Sequence, residues 1–161
     1  MSEVIRLPPA GRATVSDDDA AASVRTDAVH VVFTTGHETL GAVRVASTIG
    51  RALGAPVVLV HFRPVPYPLS VDAPSGISPT ETGAFIEQVR SVGNDVRIRV
   101  YLCRAGNAVM PLAFKPHSIV VIGGHRSWLP TASERLRRRL EKAGHFVVFV
   151  EEREHAGHVD A

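Results

Sequence analysis

The sequence predicts an α/β fold: a doubly wound sheet of five parallel strands flanked by helices. Three observations support this class. Short apolar runs alternate regularly with longer amphipathic segments along the chain. Four of the five apolar runs consist almost entirely of Val, Ile, Leu and Phe, which is typical of parallel strands buried on both faces. The repeated strand–helix–strand order implies right-handed crossovers between parallel strands.

The five apolar runs are the predicted strands. In chain order they are HVVFT (30–34), PVVLVHF (56–62), DVRIRVYL (95–102), SIVVIG (118–123) and HFVVFV (145–150). The third run differs from the others because polar and apolar residues alternate along it. We therefore expect this strand at an edge of the sheet.

The predicted helices carry signals at both ends. Three segments fit a capping box, in which a Ser or Thr and a Glu three residues later bond each other's backbone amides: residues 35–38, 78–81 and 131–134. Three glycines able to adopt the left-handed conformation are expected to end these helices: Gly54, Gly93 and Gly144. A shorter helix is predicted over residues 107–115, where Pro116 ends it.

The chain length suits one domain with polar ends. At 161 residues the chain can bury a core without disulfides or a metal ion. The domain is predicted over residues 28–151, with a flexible arm before it (1–27) and a polar tail after it (152–161). The proline-rich stretch 62–76 is too long for a minimal turn, so it is predicted to be a lid over a site or a disordered excursion.

The composition indicates a cytoplasmic protein without a membrane partner. Hydrophobic residues make up 45% of the chain and charged residues 21%, which is ordinary for a globular domain. The single cysteine, Cys103, excludes an internal disulfide and fits a reducing compartment. No apolar run approaches the ~20 residues that span a bilayer. The first residues lack the basic start and apolar core of a secretory signal.

Basic residues concentrate in one segment of the C-terminal half. Between Arg126 and Lys142 there are six basic residues and two acidic ones, although the net charge of the whole chain is only +2. No aromatic residue is interleaved with these arginines, so the segment lacks a platform for base stacking. We interpret the run as the solvated face of a helix and expect no nucleic-acid partner.

Two stretches resemble the universal stress protein family. TTGHETLGAVRVASTIGRALGAPVVLVHFRPVPYP (34–68) is similar to the opening strand, helix and second strand of such a domain. RAGNAVMPLAFKPHSIVVIGGH (104–125) is similar to its later helix and fourth strand, and the likeness covers roughly residues 29–150. The resemblance implies the strand order 3-2-1-4-5 and a small cytoplasmic stress-response protein that is often dimeric. Some members of the family bind ATP and others do not.

The phosphate-binding signature of the family's ATP-binding members is incomplete here. They share the pattern Gly-x2-Gly-x9-Gly-Ser/Thr after the fourth strand. Gly124 matches the first glycine, but Ser127 stands in place of the second, and no Gly-Ser or Gly-Thr pair follows ten residues later. Thr35 corresponds to the Asp that contacts the nucleotide in those members. Glu134 also places a carboxylate where phosphate charge would lie, so the sequence predicts weak ATP binding or none.

Any ligand site is expected in the crevice between the first and fourth strands, where the strand order reverses. The residues that would bind a cofactor there follow these two strands: Thr35, Gly123, Gly124, His125, Arg126 and Ser127. His37 and His125 are expected to face each other across the crevice. Trp128 is predicted either to form a stacking wall beside a small anionic ligand or to cover the core.

The predicted function is that of a regulatory or scaffolding domain, not an enzyme, with no cofactor and an unidentified protein partner. No catalytic motif or metal-ligand spacing is present. Cys103 is expected to be a buried thiol and His61 a core histidine. One alternative is a nucleotide-binding stress sensor that holds ATP or another adenine nucleotide in a degenerate phosphate loop. A second alternative is a flavodoxin-like flavin carrier, because FTTGHET (33–39) faintly resembles that family's phosphate loop. Glu38 would face the flavin phosphate, which argues against this alternative.

The fifth strand is the predicted site of self-association. It consists of five apolar residues without a Lys or Pro to protect an edge: Phe146, Val147, Val148, Phe149 and Val150. Pairing with its own copy about a two-fold axis would close the edge, and the family resemblance implies the same contact. The alternative is that residues 4–7 of the arm fold over this edge and keep the protein monomeric.

Overall fold

The computed structural model describes residues 2–6, 27–65, 79–93, 96–103 and 110–151. This part of the chain contains six strands: β1 (Ser2–Arg6), β2 (Val29–Val32), β3 (Val57–Pro64), β4 (Val96–Cys103), β5 (Ile119–Gly124) and β6 (Phe146–Glu151). It also contains three α-helices: α1 (Gly36–Leu53), α2 (Pro79–Val92) and α3 (Ala132–Lys142). A short 3₁₀ turn, Met110–Ala113, precedes β5.

All six strands run parallel in one sheet, in the order β1-β4-β3-β2-β5-β6. The five predicted strands are β2 to β6, and their order confirms the predicted arrangement 3-2-1-4-5. From β2 the chain first builds the sheet outward through β3 and β4, and then returns to build it on the other side through β5 and β6. The α/β doubly wound class is therefore confirmed.

The strand β1 is not predicted by the sequence, and it lies within the arm expected to be flexible. It pairs with β4 in parallel register, from Ser2 opposite Ile98 to Arg6 opposite Leu102. Two expectations are therefore wrong. β4 has a neighbour on each side instead of forming an edge, and the arm's strand lies at the opposite side of the sheet from β6. The rest of the arm, most of the proline-rich stretch and the tail lie outside the described residues: 7–26, 66–78 and 152–161.

Both faces of the sheet are covered, which explains the continuous apolar runs. On one face α1 and α2 pack over a core that includes Val31 and Leu59, each no more than 1% exposed. On the other face α3 and the 3₁₀ turn pack over a core that includes Val60 and Ile122, which are equally buried. Successive residues of a strand point to opposite faces, so only strands that are apolar at every position can fill both cores.

The predicted capping boxes form at one helix and fail at another. At the start of α3 the Glu134 amide donates to Thr131 Oγ1 (3.2 Å), and the Thr131 amide donates to Glu134 Oε2 (3.1 Å). No such box forms at Thr35, whose hydroxyl instead donates to the carboxylate of Glu38 (2.9 Å). Ser78, which would cap α2, lies outside the described residues.

The predicted helix-ending glycines are confirmed at two of three positions. Gly54 and Gly144 are left-handed, with φ of 64° and 86°. Gly93 is not left-handed, and a Cβ there would lie 2.7 Å from Cγ2 of Val96, so packing is what requires glycine. The helix predicted over residues 107–115 is wrong in its described part, which forms only the 3₁₀ turn.

Candidate functional site

A cleft of about 390 Å³ opens at the carboxyl ends of β2, β3 and β5, where the strand order reverses. Five apolar residues line part of it: Phe33, Phe62, Met110, Ala132 and Leu136. Polar groups converge on it from both sides: Thr34, Thr35, Glu38, His61, His125, Thr131 and Ser133. A larger cavity of about 540 Å³ lies at the amino ends of β3 and β4. Ligands of doubly wound folds bind at the switch point, so the smaller cleft is the candidate site.

The polar centre of the cleft is the hydrogen-bonded pair of Glu38 and His125. Oε1 of Glu38 lies 2.9 Å from Nδ1 of His125, and the Thr35 hydroxyl donates to Oε2 (2.9 Å). Burial acts to raise the pKa of Glu38, but hydrogen bonds with His125 and from Thr35 outweigh it and lower the pKa below its ordinary value. The carboxylate is therefore ionised at neutral pH. His37, which was expected to face His125, is not among the residues that line the cleft, and Glu38 is the side chain that meets His125 there.

The loop between β2 and α1 is tied to both the helix and the neighbouring strand. The Thr34 hydroxyl donates to the Gly123 carbonyl of β5 (3.1 Å), and the Thr34 amide donates to the Thr39 hydroxyl (3.1 Å). Thr39 is fully buried, and its hydroxyl donates in turn to the Thr35 carbonyl. These bonds hold the backbone from which the Glu38 side chain enters the cleft.

Gly123 and Gly124 are buried residues of β5 that lie beneath the cleft, not in a phosphate loop. A Cβ at Gly123 would lie 1.9 Å from the carbonyl oxygen of Glu38. A Cβ at Gly124 would lie 2.7 Å from Cβ of Ser133 and 2.8 Å from Cζ of Phe149. Contacts this short are forbidden, so the two glycines let the first turns of α1 and α3 approach the sheet. Packing accounts for the Gly-Gly pair.

The loop after β5 lies largely outside the cleft. Of its predicted site residues only His125 lines the cleft, whereas Arg126 and Ser127 are exposed and do not. Nε of Arg126 lies 3.5 Å from Oε2 of Glu151, at the end of β6. Trp128 is 91% exposed, so it neither walls a ligand site nor covers the core, and both expectations are wrong.

Two further residues that the sequence singled out have clear positions. Cys103 is 6% exposed, which confirms a buried thiol. His61 lines the cleft instead of the core, with its ring centroid 4.3 Å from that of Phe33. Burial, and secondarily the charge of Arg63, lower the pKa of His61, so its ring is neutral at pH 7.

Sequence reasoning did not identify Glu38 as the centre of the site, because the capping-box pattern already accounted for a Glu at this position. No contact with a distant residue was needed to explain it. A signal was nevertheless present one residue later. Thr39 is a polar residue that falls among the buried positions of α1, with Ala42, Val43 and Ala46. A buried hydroxyl needs a hydrogen-bond partner, and that requirement pointed to an ordered network at the start of α1.

Within the described residues the structure offers neither a membrane span nor a metal centre. No helix there is long and apolar enough to cross a bilayer. No group of three His, Cys, Asp or Glu side chains comes together in the same part of the chain. The chemistry available in the cleft is therefore that of the Glu38–His125 pair and its hydroxyl neighbours.

A parallel sheet built in both directions from β2, with its cleft at the switch point, defines a doubly wound α/β domain. More particularly, the fold is that of the universal stress proteins, as the resemblance implied. The structure matches that of a universal stress protein from Archaeoglobus fulgidus with a TM-score of 0.51 and 20% identity, over 76% of this chain and 92% of that one.

Two other solved structures are also similar to this chain. One is a universal stress protein in complex with cAMP (TM-score 0.49, 14% identity, 78% of this chain and 98% of that one). The other is the Archaeoglobus fulgidus protein in complex with dAMP (TM-score 0.49, 18% identity, 77% and 97%). No protein-family model and no curated protein sequence matches this chain.

Proposed function

We propose that this chain is a universal-stress-protein-like regulatory or scaffolding domain, non-enzymatic and cytoplasmic, whose cleft binds ATP weakly or not at all. The observation that carries the proposal is the position of Glu38. Its side chain is 12% exposed and lines the cleft, and its carboxylate is ionised at neutral pH. A triphosphate at the switch point would meet this charge in a partly enclosed site, where repulsion is stronger than in bulk water.

The start of α3, on the other side of the cleft, also offers little to an anion. A helix N-terminus binds phosphate through backbone amides that lack other partners. At α3 the amide of Glu134 already donates to Thr131, and the Glu134 carboxylate accepts from the Thr131 amide. Gly123 and Gly124 are committed to packing against the two helices. These features support a cleft that keeps the position of a ligand crevice without a phosphate site.

We expect no ATP binding tighter than about 100 μM, equivalent to roughly −5.5 kcal/mol, with or without Mg²⁺. Calorimetry with ATP, AMP and adenosine measures these affinities. Adenosine lacks phosphate, so comparing it with ATP separates loss of phosphate binding from loss of base binding. Glu38→Gln removes the charge with little change of shape and should raise the affinity for ATP. Glu87→Gln, which removes an exposed carboxylate on α2, is the matched control.

Low-micromolar ATP binding by the wild-type protein would contradict the proposal. It would favour the alternative of a nucleotide-binding stress sensor with a degenerate phosphate loop. The flavin-carrier alternative meets the same obstacle, because the Glu38 carboxylate would face the flavin phosphate. Visible flavin absorbance in the purified protein would restore that alternative, and a colourless sample excludes it.

We also propose that β6 pairs with β6 of a second copy. In the described sheet β6 has β5 on one side only, and Phe146 is 58% exposed. The side chains of Val147 and Phe149 pack on the α3 face, and those of Val148 and Val150 on the α1 face. What stays open is therefore chiefly a row of backbone N–H and C=O groups, through which strands associate. A two-fold axis would close this edge.

The dimer is tested by a variant that removes one outward backbone donor. The Phe146 amide donates to the Ser118 carbonyl beside β5 (3.0 Å), so the next amide, that of Val147, points away from β5. Val147→Pro is expected to turn a dimer into a monomer in light scattering. Val147→Ala shortens the side chain, keeps the N–H group and should stay dimeric. A wild-type monomer, or a Val147→Pro protein that is still dimeric, would argue against the pairing.

A further inference from the structure

The loop between β5 and α3 presents two large apolar side chains to solvent. Trp128 is 91% exposed and Leu129 is 58% exposed. The residues on either side of them, from 125 to 130, are also exposed. Single apolar side chains at a surface are common, but two adjacent ones on a protruding loop, one of them a tryptophan, form an anchor that a partner could bury.

The exposed face of α3 carries a row of cations. Four basic residues spaced at i, i+3, i+4 and i+7 form one stripe along the helix: Arg135, Arg138, Arg139 and Lys142. All four are exposed, and the opposite face of the helix is buried through Leu136 and Leu140. The stripe therefore points away from the core.

The charge of this stripe is not neutralised by the described part of the chain. The two acidic residues of α3 are engaged elsewhere, since Glu134 closes the capping box and Oε1 of Glu141 lies 3.6 Å from Nε of Arg137. No ion pair of the described residues includes any of the four stripe cations. Leu129 precedes the first helical residue, Ala132, by three positions, or roughly 10 Å of chain at most. The loop leads directly into the helix that carries the stripe, and we call Trp128, Leu129 and the four stripe cations together the basic-tryptophan face.

We propose that the basic-tryptophan face docks the protein peripherally on an anionic membrane surface. Trp128 and Leu129 enter the interfacial layer, where tryptophan is enriched. The stripe of Arg135, Arg138, Arg139 and Lys142 then lies along the anionic headgroups, which attract clustered basic residues. The absence of an apolar run long enough to span a bilayer led the sequence analysis to expect no membrane partner. Peripheral docking requires no such run.

A fluid anionic surface suits this face better than an acidic protein segment does. The apolar anchor protrudes, and neither of the two cavities described above is lined by Trp128, Leu129 or the stripe. A bound peptide would need a groove or apolar positions within the stripe, and the stripe is entirely cationic. Lipid headgroups need no matched groove, because they rearrange around the cations.

Trp128 is the single tryptophan of the chain, so its fluorescence reports directly on the anchor. We expect a blue shift and a rise in emission when the full-length protein meets phosphatidylcholine vesicles that contain phosphatidylglycerol. Vesicles of phosphatidylcholine alone should leave the emission unchanged. About 1 M salt, at which the Debye length is ~3 Å, should reverse the binding.

Matched variants separate the stripe from general positive charge. Arg135→Gln with Arg139→Gln should weaken vesicle binding about 25-fold, since each cation near an anionic membrane contributes about fivefold. Arg51→Gln with Arg90→Gln removes the same charge from exposed positions of α1 and α2 and should bind like wild type. Trp128→Ser, followed by vesicle sedimentation, should lose most of the binding. Thermal unfolding confirms that each variant is folded.

Four results would overturn the proposal. The first is no binding to phosphatidylglycerol vesicles at low salt. The second is equal weakening by the two arginine pairs, which would mean that the stripe has no special role. The third is binding to poly-glutamate without binding to vesicles, which would assign the face to an acidic protein. If light scattering shows that Trp128→Ser splits a dimer, the anchor belongs to a contact between copies, and the membrane proposal is again wrong.

Discussion

Replacing Gly123 by alanine is expected to lower the free energy of unfolding by about 3 kcal/mol or more. The new Cβ would lie 1.9 Å from the carbonyl oxygen of Glu38. That oxygen belongs to the backbone of α1 and cannot rotate away, so the first turn of the helix has to move from the sheet. The movement would also strain the bond from Thr34 to the Gly123 carbonyl and the pair of Glu38 with His125.

Urea unfolding of three variants measures this effect. Gly36→Ala is the control, because a Cβ at Gly36 meets no atom within 4 Å and alanine favours the helix that begins there. Gly124→Ala should fall between the two, since its closest contact, 2.7 Å to Cβ of Ser133, is less severe than 1.9 Å, and the ring of Phe149 can shift although Cβ of Ser133 cannot. A Gly123→Ala protein as stable as Gly36→Ala would show that α1 does not pack closely on β5.

Lowering the pH from 7 to about 4 is expected to cost roughly 3 kcal/mol of stability through His30 alone. Burial, with smaller contributions from the charges of Arg99 and His145, lowers the pKa of His30 from 6.5 to about 4. Its Nδ1 atom is buried without a hydrogen-bond partner among the described residues, and its ring lies 5.0 Å from that of Phe114. A proton on His30 therefore has no favourable place in the folded protein.

The sign of this pH dependence follows from where the proton binds. Between pH 6.5 and about 4 the unfolded chain protonates His30 and the folded chain does not, so acid favours unfolding across this window. Most of the loss has occurred by pH 4, and stability is restored as the pH rises above 6.5, as far as His30 is concerned. The lowered pKa of His61 acts in the same direction.

Denaturant unfolding at a series of pH values measures the effect. His30→Phe removes the titrating group and keeps an aromatic ring beside Phe114, so its stability should fall less steeply with acid than that of wild type. Equal slopes for His30→Phe and wild type would mean that other groups, not His30, govern acid stability.

Identical sequence patterns led to different structures at the starts of α1 and α3. Both segments, 35–38 and 131–134, match a capping box, and only the second forms one. At α1 the carboxylate of Glu38 bonds to His125, a residue 87 positions away. A local pattern cannot reveal a partner that distant, because the contact exists only after β2 and β5 have paired.

The strand β1 is a second feature that a local sequence pattern does not predict. The central strands are predictable because they are apolar at every position, which only burial on both faces explains. SEVIR, by contrast, is a short segment in which polar and apolar residues are mixed. β1 pairs with the backbone groups along the edge of β4. That edge exists only after β4 has taken its place in the sheet, so the sequence of β1 alone does not reveal the pairing.

The sequence by itself determined the α/β class, the succession of strands and helices and, through its resemblance to a family, the strand order. It also determined that the phosphate-binding glycine signature is incomplete. The class and the succession of elements follow from local composition, periodicity and spacing, whereas the strand order and the comparison with the glycine signature follow from the resemblance to the family. Only the tertiary structure decided that Gly123 and Gly124 serve packing, that Glu38 is the polar centre of the cleft and that Trp128 is exposed. These properties depend on which side chains come within a few ångströms of each other when a helix packs on the sheet. Such distances between residues far apart in the chain cannot be read from a local sequence pattern.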